Sequence, residues 1–106
     1  MSASSLTAYR LTPAAQDDLE NIWLYTAKTW SAAQADRYTD ILEDILVRLL
    51  FMPEMARERC EFDPPVRIHP SAEHLIIYRI EGNHLVILRI LGTSQDWHAI
   101  LRAVDQ

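Results

Sequence analysis

The sequence predicts an α+β domain: an N-terminal strand, a two-helix hairpin packed on one face of a small antiparallel sheet, and a short C-terminal helix. Three observations carry that prediction. Two helical signatures stand back to back between Thr12 and Pro53, three short apolar runs follow them, and one strand-like segment precedes them. Helices grouped ahead of strands, rather than alternating with them, indicate α+β and not a doubly wound sheet. A chain of 106 residues is read as a single domain with room for one core.

Each element has its own physical warrant. Met1 to Ser5 are small and polar and read as a frayed, flexible tail. "LTAYRL" offers a short strand. Thr12-Pro13 then starts a helix, with Thr as N-cap and Pro at the first helical position, where its missing N–H costs nothing. Asp17, Asp18 and Glu20 suit the positive end of the helix dipole. Ala15, Leu19, Ile22, Trp23 and Thr26 share one face, and the helix should end near Trp30. Ser31 and Gln34 form a capping box for a second helix. Ala35, Tyr38, Leu42, Ile45, Leu46 and Leu49 run down one stripe of it, with Asp36, Asp40, Glu43 and Asp44 mostly off the stripe as a solvated face. Pro53 stops it.

Periodicity disappears from Glu54 to Pro65, which reads as a charged surface loop. "VRIH" is a short strand and "PSAE" a turn. "HLIIYRIEGNHLVILRIL" is a hairpin about Gly82-Asn83, since both residues tolerate positive φ. This register sets Ile80 against Leu85, Arg79 against Val86, Tyr78 against Ile87 and Ile76 against Arg89. Arg79 and Arg89 should then project to opposite faces. "DWHAILRAV" suggests the last helix. The sheet face away from the helices is expected to stay open.

Composition excludes several classes. Apolar residues make up 49% and charged residues 24%, ordinary for a globular protein. No apolar run approaches the roughly 20 residues that span a bilayer, and "MSASSLTAYR" has no secretory pattern. One cysteine, Cys60, leaves no internal disulfide and fits a reducing, cytoplasmic setting, where it reads as an unimportant free thiol. The histidines (His69, His74, His84, His98) lack metal-ligand spacing, so neither metal nor cofactor is expected. A net charge of −5 argues against direct nucleic-acid binding through the overall field. Lys28 is the lone lysine among ten basic residues, and arginine favours planar, bidentate pairing.

A permanent cation on a buried strand needs a partner, because leaving it unpaired costs several kcal/mol. Asp18, Glu20, Asp36 and Glu43 are the helical carboxylates available to Arg79 and Arg89, and an arginine left over would face a partner. Trp23 reads as core and Trp30 as packed under its turn. Trp97 reads either as the aromatic that docks the last helix or as an exposed binding anchor. Tyr38 and Tyr78 read as core-edge residues with hydroxyls reaching water.

Tyr9 to Leu49, with the spaced pattern Arg67, Pro70, His74, Tyr78, Arg79 and then "LRIL" before a polar turn and Asp96, resembles the toxins of the ParE branch of the RelE/ParE superfamily. That resemblance covers about Tyr9 to Leu101. It implies a type II toxin–antitoxin system, inhibition of DNA gyrase with a block of replication, and no catalytic residues. It also implies neutralisation by a ParD-like antitoxin, in a hetero-oligomer with at least two toxins. The antitoxin would supply the DNA contact, and its helix should lie in a groove between the helix pair and the sheet. Arg67, Tyr78, Arg79, Arg89 and Trp97 are the expected contacts to target or antitoxin, with the segment after Leu91 and the open sheet face meeting gyrase.

The superfamily also contains ribosome-dependent RelE-like messenger-RNA nucleases. Metal-free RNA cleavage needs a base, an acid and cations on the phosphate. Arg67 and Arg79 could supply cations, and His69, His74 or His98 a proton carrier. Yet Gly92 and Ser94 stand where many relatives carry His and Arg, and Trp97 cannot act as an acid. A third reading is a decayed, non-toxic module that still binds an antitoxin.

Overall fold

The computed structural model describes residues 6–104, so the expected tail, Met1 to Ser5, lies outside the described residues. The order is β1 (Ala8–Leu11), α1 (Pro13–Thr29), α2 (Ala32–Phe51), β2 (Glu58–Arg59), β3 (Val66–Ser71), β4 (His74–Glu81), β5 (His84–Gly92) and α3 (Trp97–Val104). Both helix starts follow from the sequence. The Thr12 side chain accepts the Ala15 N–H at 3.1 Å, and Ser31 accepts the Gln34 N–H at 3.0 Å. Trp30 caps α1, and Met52 caps α2 just before Pro53.

The strands form one five-stranded sheet in the order β1-β5-β4-β3-β2. β2 to β5 are antiparallel to their neighbours, as expected, while β1 joins the edge beside β5 in parallel. Parallel pairing is open to β1 because a long crossover, not a hairpin, links it to its neighbour. Gly82 carries φ +62° at the first central position of the β4–β5 turn, the place a type II′ hairpin reserves for glycine.

The hairpin keeps the expected register near its turn: Ile80–Leu85, Arg79–Val86 and Tyr78–Ile87. Beyond Tyr78 it slips. Ile77 faces Arg89 and Ile76 faces Ile90, so the expected Ile76–Arg89 pair does not form. Leu88 is the extra residue of a β-bulge, and a bulge resets which side chains face which way. After it, Ile90 rejoins the helix-side core and Leu91 the opposite one.

Two apolar layers sandwich the sheet. On one face Leu42, Leu46 and Leu49 of α2 and Ala15 and Ile22 of α1 meet Ile76, Tyr78, Leu85, Ile87 and Ile90. A fully buried leucine contributes about 1.5–3 kcal/mol of transfer free energy. The α2 stripe is therefore the main anchor of the hairpin. The other face is not open, contrary to expectation. Phe62, Val66, Ile77, Leu91 and Leu101 form a second cluster there, roofed by α3. The region Glu54–Pro65 is likewise more than a surface loop, since it contains β2 and buries Ala56 and Phe62. The charge content of that segment hides its two apolar anchors.

Candidate functional site

The five residues singled out from the sequence separate into different neighbourhoods. Arg89 is held from the helix side: Nε donates to Asp18 Oδ2 at 2.7 Å and Nη2 to Asp18 Oδ1 at 2.9 Å. Asp18 also accepts the Ile90 N–H at 2.9 Å, which pins the chain just past the bulge. These hydrogen bonds raise the Arg89 pKa further above its already high value. Arg89 therefore ties β5 to α1, and the carboxylate comes from the expected helix.

Arg79 takes a partner from its own strand, donating Nε to Glu81 at 2.6 Å. Residues two apart on a strand share a face, so this pair needs no helix. With Thr12, Phe62, Pro64, Val66, Leu88 and Leu101, Arg79 lines a hollow of about 350 Å³ on the face roofed by α3. Trp97 stacks into the same region, 6.3 Å from Phe62 and 5.4 Å from His98, with the Arg59 guanidinium 5.6 Å over its ring. Arg79 and Trp97 thus share Phe62 as a neighbour. The expected projection of the two arginines to opposite faces is not kept: the bulge sets Arg89 opposite Ile77, and Ile77, two residues along β4, shares its face with Arg79.

Arg67 pairs with Tyr78 across β3–β4 and donates Nη1 to the Ala56 carbonyl at 2.7 Å. Tyr78 is a correction. It is completely buried, and its hydroxyl donates to the Pro53 carbonyl at 2.7 Å instead of reaching water. Burial pushes the phenol pKa up. Its bulk fills the helix-side core and is withdrawn from any contact surface.

The structure also contains a groove that periodicity alone did not reveal. Leu11, Gln16, Leu19, Glu20, Trp23, Leu24, Thr39 and Glu43 enclose about 600 Å³ between β1, α1 and α2. Trp23, expected as core, is a wall of this groove, and its indole N–H donates to Asp36 at 2.8 Å across the helix pair. Leu24 is exposed, an apolar residue off the buried stripe. That misplaced leucine beside Trp23 was the available signal in the sequence.

A second cleft lies at the other end of the hairpin, where Tyr25, Thr26, Thr29 and Trp30 of α1 and its cap face Gln34 and Tyr38 of α2 and Glu73-His74 of the sheet. The Tyr38 hydroxyl and His74 Nδ1 are 2.6 Å apart. Burial lowers the His74 pKa, offset in part by Glu73 and Asp18. Trp30 is 76% exposed on the rim instead of packing under the turn.

The three candidate proton carriers do not converge. His69 is half-buried and feels Arg48, His74 is held by Tyr38, and His98 stacks on Phe62 at 5.0 Å. Among the described residues no group of His, Cys, Asp and Glu could hold a metal ion, and no helix is long and apolar enough to cross a membrane.

Comparison with known proteins agrees with this architecture. Residues 9–97 match the ParE toxin of the type II toxin–antitoxin system parDE. The chain is 33% identical over 89 residues to Toxin ParE1 of Mycobacterium tuberculosis, covering 83% of this chain and 91% of that one. It is 35% identical over 93 residues to Toxin ParE of Escherichia coli, covering 86% and 89%. A solved chromosomal ParDE TA system from P. aeruginosa shares the fold, with a TM-score of 0.72 at 18% identity over 85% of this chain and 98% of that chain. With the match running from β1 to the start of α3, the chain belongs to the ParE toxin family of type II toxin–antitoxin systems.

Proposed function

We propose that this ParE-family chain acts by binding rather than catalysis, inhibiting DNA gyrase until an antitoxin segment occupies the groove between β1, α1 and α2. The groove carries the antitoxin half of this reading. It is walled by Leu11, Leu19, Trp23 and Leu24 and rimmed by Glu20 and Glu43. Such a surface fits an amphipathic helix with apolar anchors on one face and basic residues at its edges. The scattering of His69, His74 and His98, with Arg67 and Arg79 bound to separate partners, supports a non-enzymatic mode. The surface around Arg79 and Trp97 is the assigned contact for gyrase.

Inducing the chain alone in a bacterial host and pulse-labelling DNA and protein synthesis tests the reading. DNA synthesis is expected to fall first, and purified chain to inhibit supercoiling by purified gyrase. A first collapse of translation would replace gyrase inhibition with ribosome-dependent cleavage. Soluble accumulation with neither effect would leave a non-toxic binding module. For the antitoxin, Leu24→Glu is expected to weaken complex formation by roughly 100-fold, about 2.7 kcal/mol. An unchanged affinity would move the antitoxin elsewhere.

A further inference from the structure

The cleft at the Trp30 end of the hairpin is lined by three aromatic rings, one carboxylate and no cation. Tyr25, Trp30 and Tyr38 supply π faces, and Tyr25 and Trp30 are 70% and 76% exposed. Exposed apolar rings gathered at one cleft are the kind of surface that marks an interaction site. Glu73 supplies the charge. It is exposed and forms no ion pair among the described residues. Its backbone carbonyl accepts the Thr93 N–H at 2.9 Å, so the turn that presents it is fixed to the end of β5.

Two further features set the sign of the field. α1 ends at Trp30, and the last carbonyls of a helix favour a cation. His74, the basic group in the lining, has its Nδ1 within 2.6 Å of the Tyr38 hydroxyl, and burial disfavours its charged form. The lining therefore has acceptors and π faces and no arginine or lysine of its own, with Arg37 just outside it donating to Gln34 at 2.8 Å and Lys28 in the last turn of α1. A cation over an aromatic ring is attracted by the ring quadrupole, and an adjacent carboxylate adds a directed partner. Of the two cationic side chains, the guanidinium suits this lining better. It is planar, stacks on rings, sheds water more readily than an ammonium, and offers a fork of donors to Glu73 and Tyr38. A volume of about 450 Å³ has room for the whole side chain.

We propose that the cleft bounded by Tyr25, Trp30, Tyr38 and Glu73 binds the guanidinium of an arginine side chain presented by a protein partner. The site shares no lining residue with the groove assigned above to the antitoxin, so it stands or falls independently.

The test uses the full chain, labelled with nitrogen-15, titrated with a blocked Gly-Arg-Gly peptide. Matched peptides replace arginine by lysine or by neutral, isosteric citrulline. The Trp30 indole and the His74 amide are expected to shift saturably with arginine, at a dissociation constant on the order of millimolar for a single anchoring side chain. Lysine should bind several-fold more weakly, and citrulline should not shift either signal. Trp30→Ala and Glu73→Gln, followed at His74, should each weaken binding by about five-fold or more. Phe51→Ser, an exposed change outside the cleft, should leave it unchanged. No saturable shift up to about 50 mM peptide, an equal response to citrulline, or undiminished binding in both cleft variants overturns the proposal.

Discussion

Asp18 illustrates how much one side chain can hold. It takes two guanidinium hydrogen bonds from Arg89 and the Ile90 N–H, and it does so at a site where both side chains are largely shielded. Removing it leaves a half-buried cation and a backbone donor without partners. Asp18→Ala is expected to cost about 3 kcal/mol in chemical denaturation. Asp18→Ala with Arg89→Ala should cost less than the sum of the single changes by at least about 1 kcal/mol. Strict additivity would mean that the pair does not couple α1 to β5. The need for such a partner was legible, because a strand arginine inside a two-layer fold must find a carboxylate. Arg79 differed: Glu81 on its own strand served, and a search confined to helices missed it. Tyr78 was misplaced because a hydroxyl suggests water, whereas its carbonyl partner came from Pro53, 25 residues away in sequence. Protonation follows from the same local reasoning. Burial lowers the pKa of His74 and of His69 relative to the unfolded chain. As pH falls below about 6.5 the unfolded state takes up protons first, so stability rises with pH through that window and is lost on acidification. Melting temperature should drop between about pH 7.5 and about pH 5.5, and His69→Gln with His74→Gln should flatten the slope. An equally steep profile in that double variant would place the titration elsewhere.

At the scale of elements, the caps and stripes of α1 and α2 were the most readable features, because each is decided within a few residues. They also differ in strength. Ser31 only caps α2, while the Thr12 hydroxyl caps α1 and donates to the Leu88 carbonyl at 2.8 Å, inside the bulge. Ser31→Ala is expected to cost about 1 kcal/mol and Thr12→Ala about 2 kcal/mol in urea denaturation. Equal costs would deny the Thr12–Leu88 bond its role. The bulge was not readable, since alternation from Ile76 to Leu91 is broken by a single residue, and the Asp18 carboxylate that holds the chain just past it lies over 70 positions earlier. α3 was located correctly but not its duty. Leu101 is buried against Phe62, Val66, Ile77 and Leu91. Leu101→Ala should therefore cost about 2–4 kcal/mol. Deleting α3 would expose that cluster as well as removing Trp97, so a loss of toxicity in a truncated chain would not test the proposed gyrase contact. Substituting Trp97 or Arg79 within the intact chain avoids this confusion. A groove between the helix pair and the sheet was expected from the resemblance, but the lining of that groove and the whole of the second cleft were not readable, because each is assembled from elements whose relative placement only packing decides.

For the whole molecule, charge and shape point the same way. A chain with a net charge of −5 and a glutamate-rimmed groove is suited to basic, amphipathic partners. If the antitoxin dimerises through a DNA-binding domain, light scattering of the co-expressed complex should give a mass that contains at least two copies of this chain. A one-to-one heterodimer would contradict that. The sheet carries one more consequence. β1, the first strand to be synthesised, sits at the edge beside β5, the last, and Leu11 lies opposite Ile87. Contacts of such long sequence separation form only after their distant halves meet. During translation the two helices can be made and can pair, but β1 has no neighbour until β5 leaves the ribosome. Completion of the sheet thus waits for β5. A cell making this chain meets the finished sheet only once β5 has been translated, which leaves an interval for an antitoxin already present to be waiting.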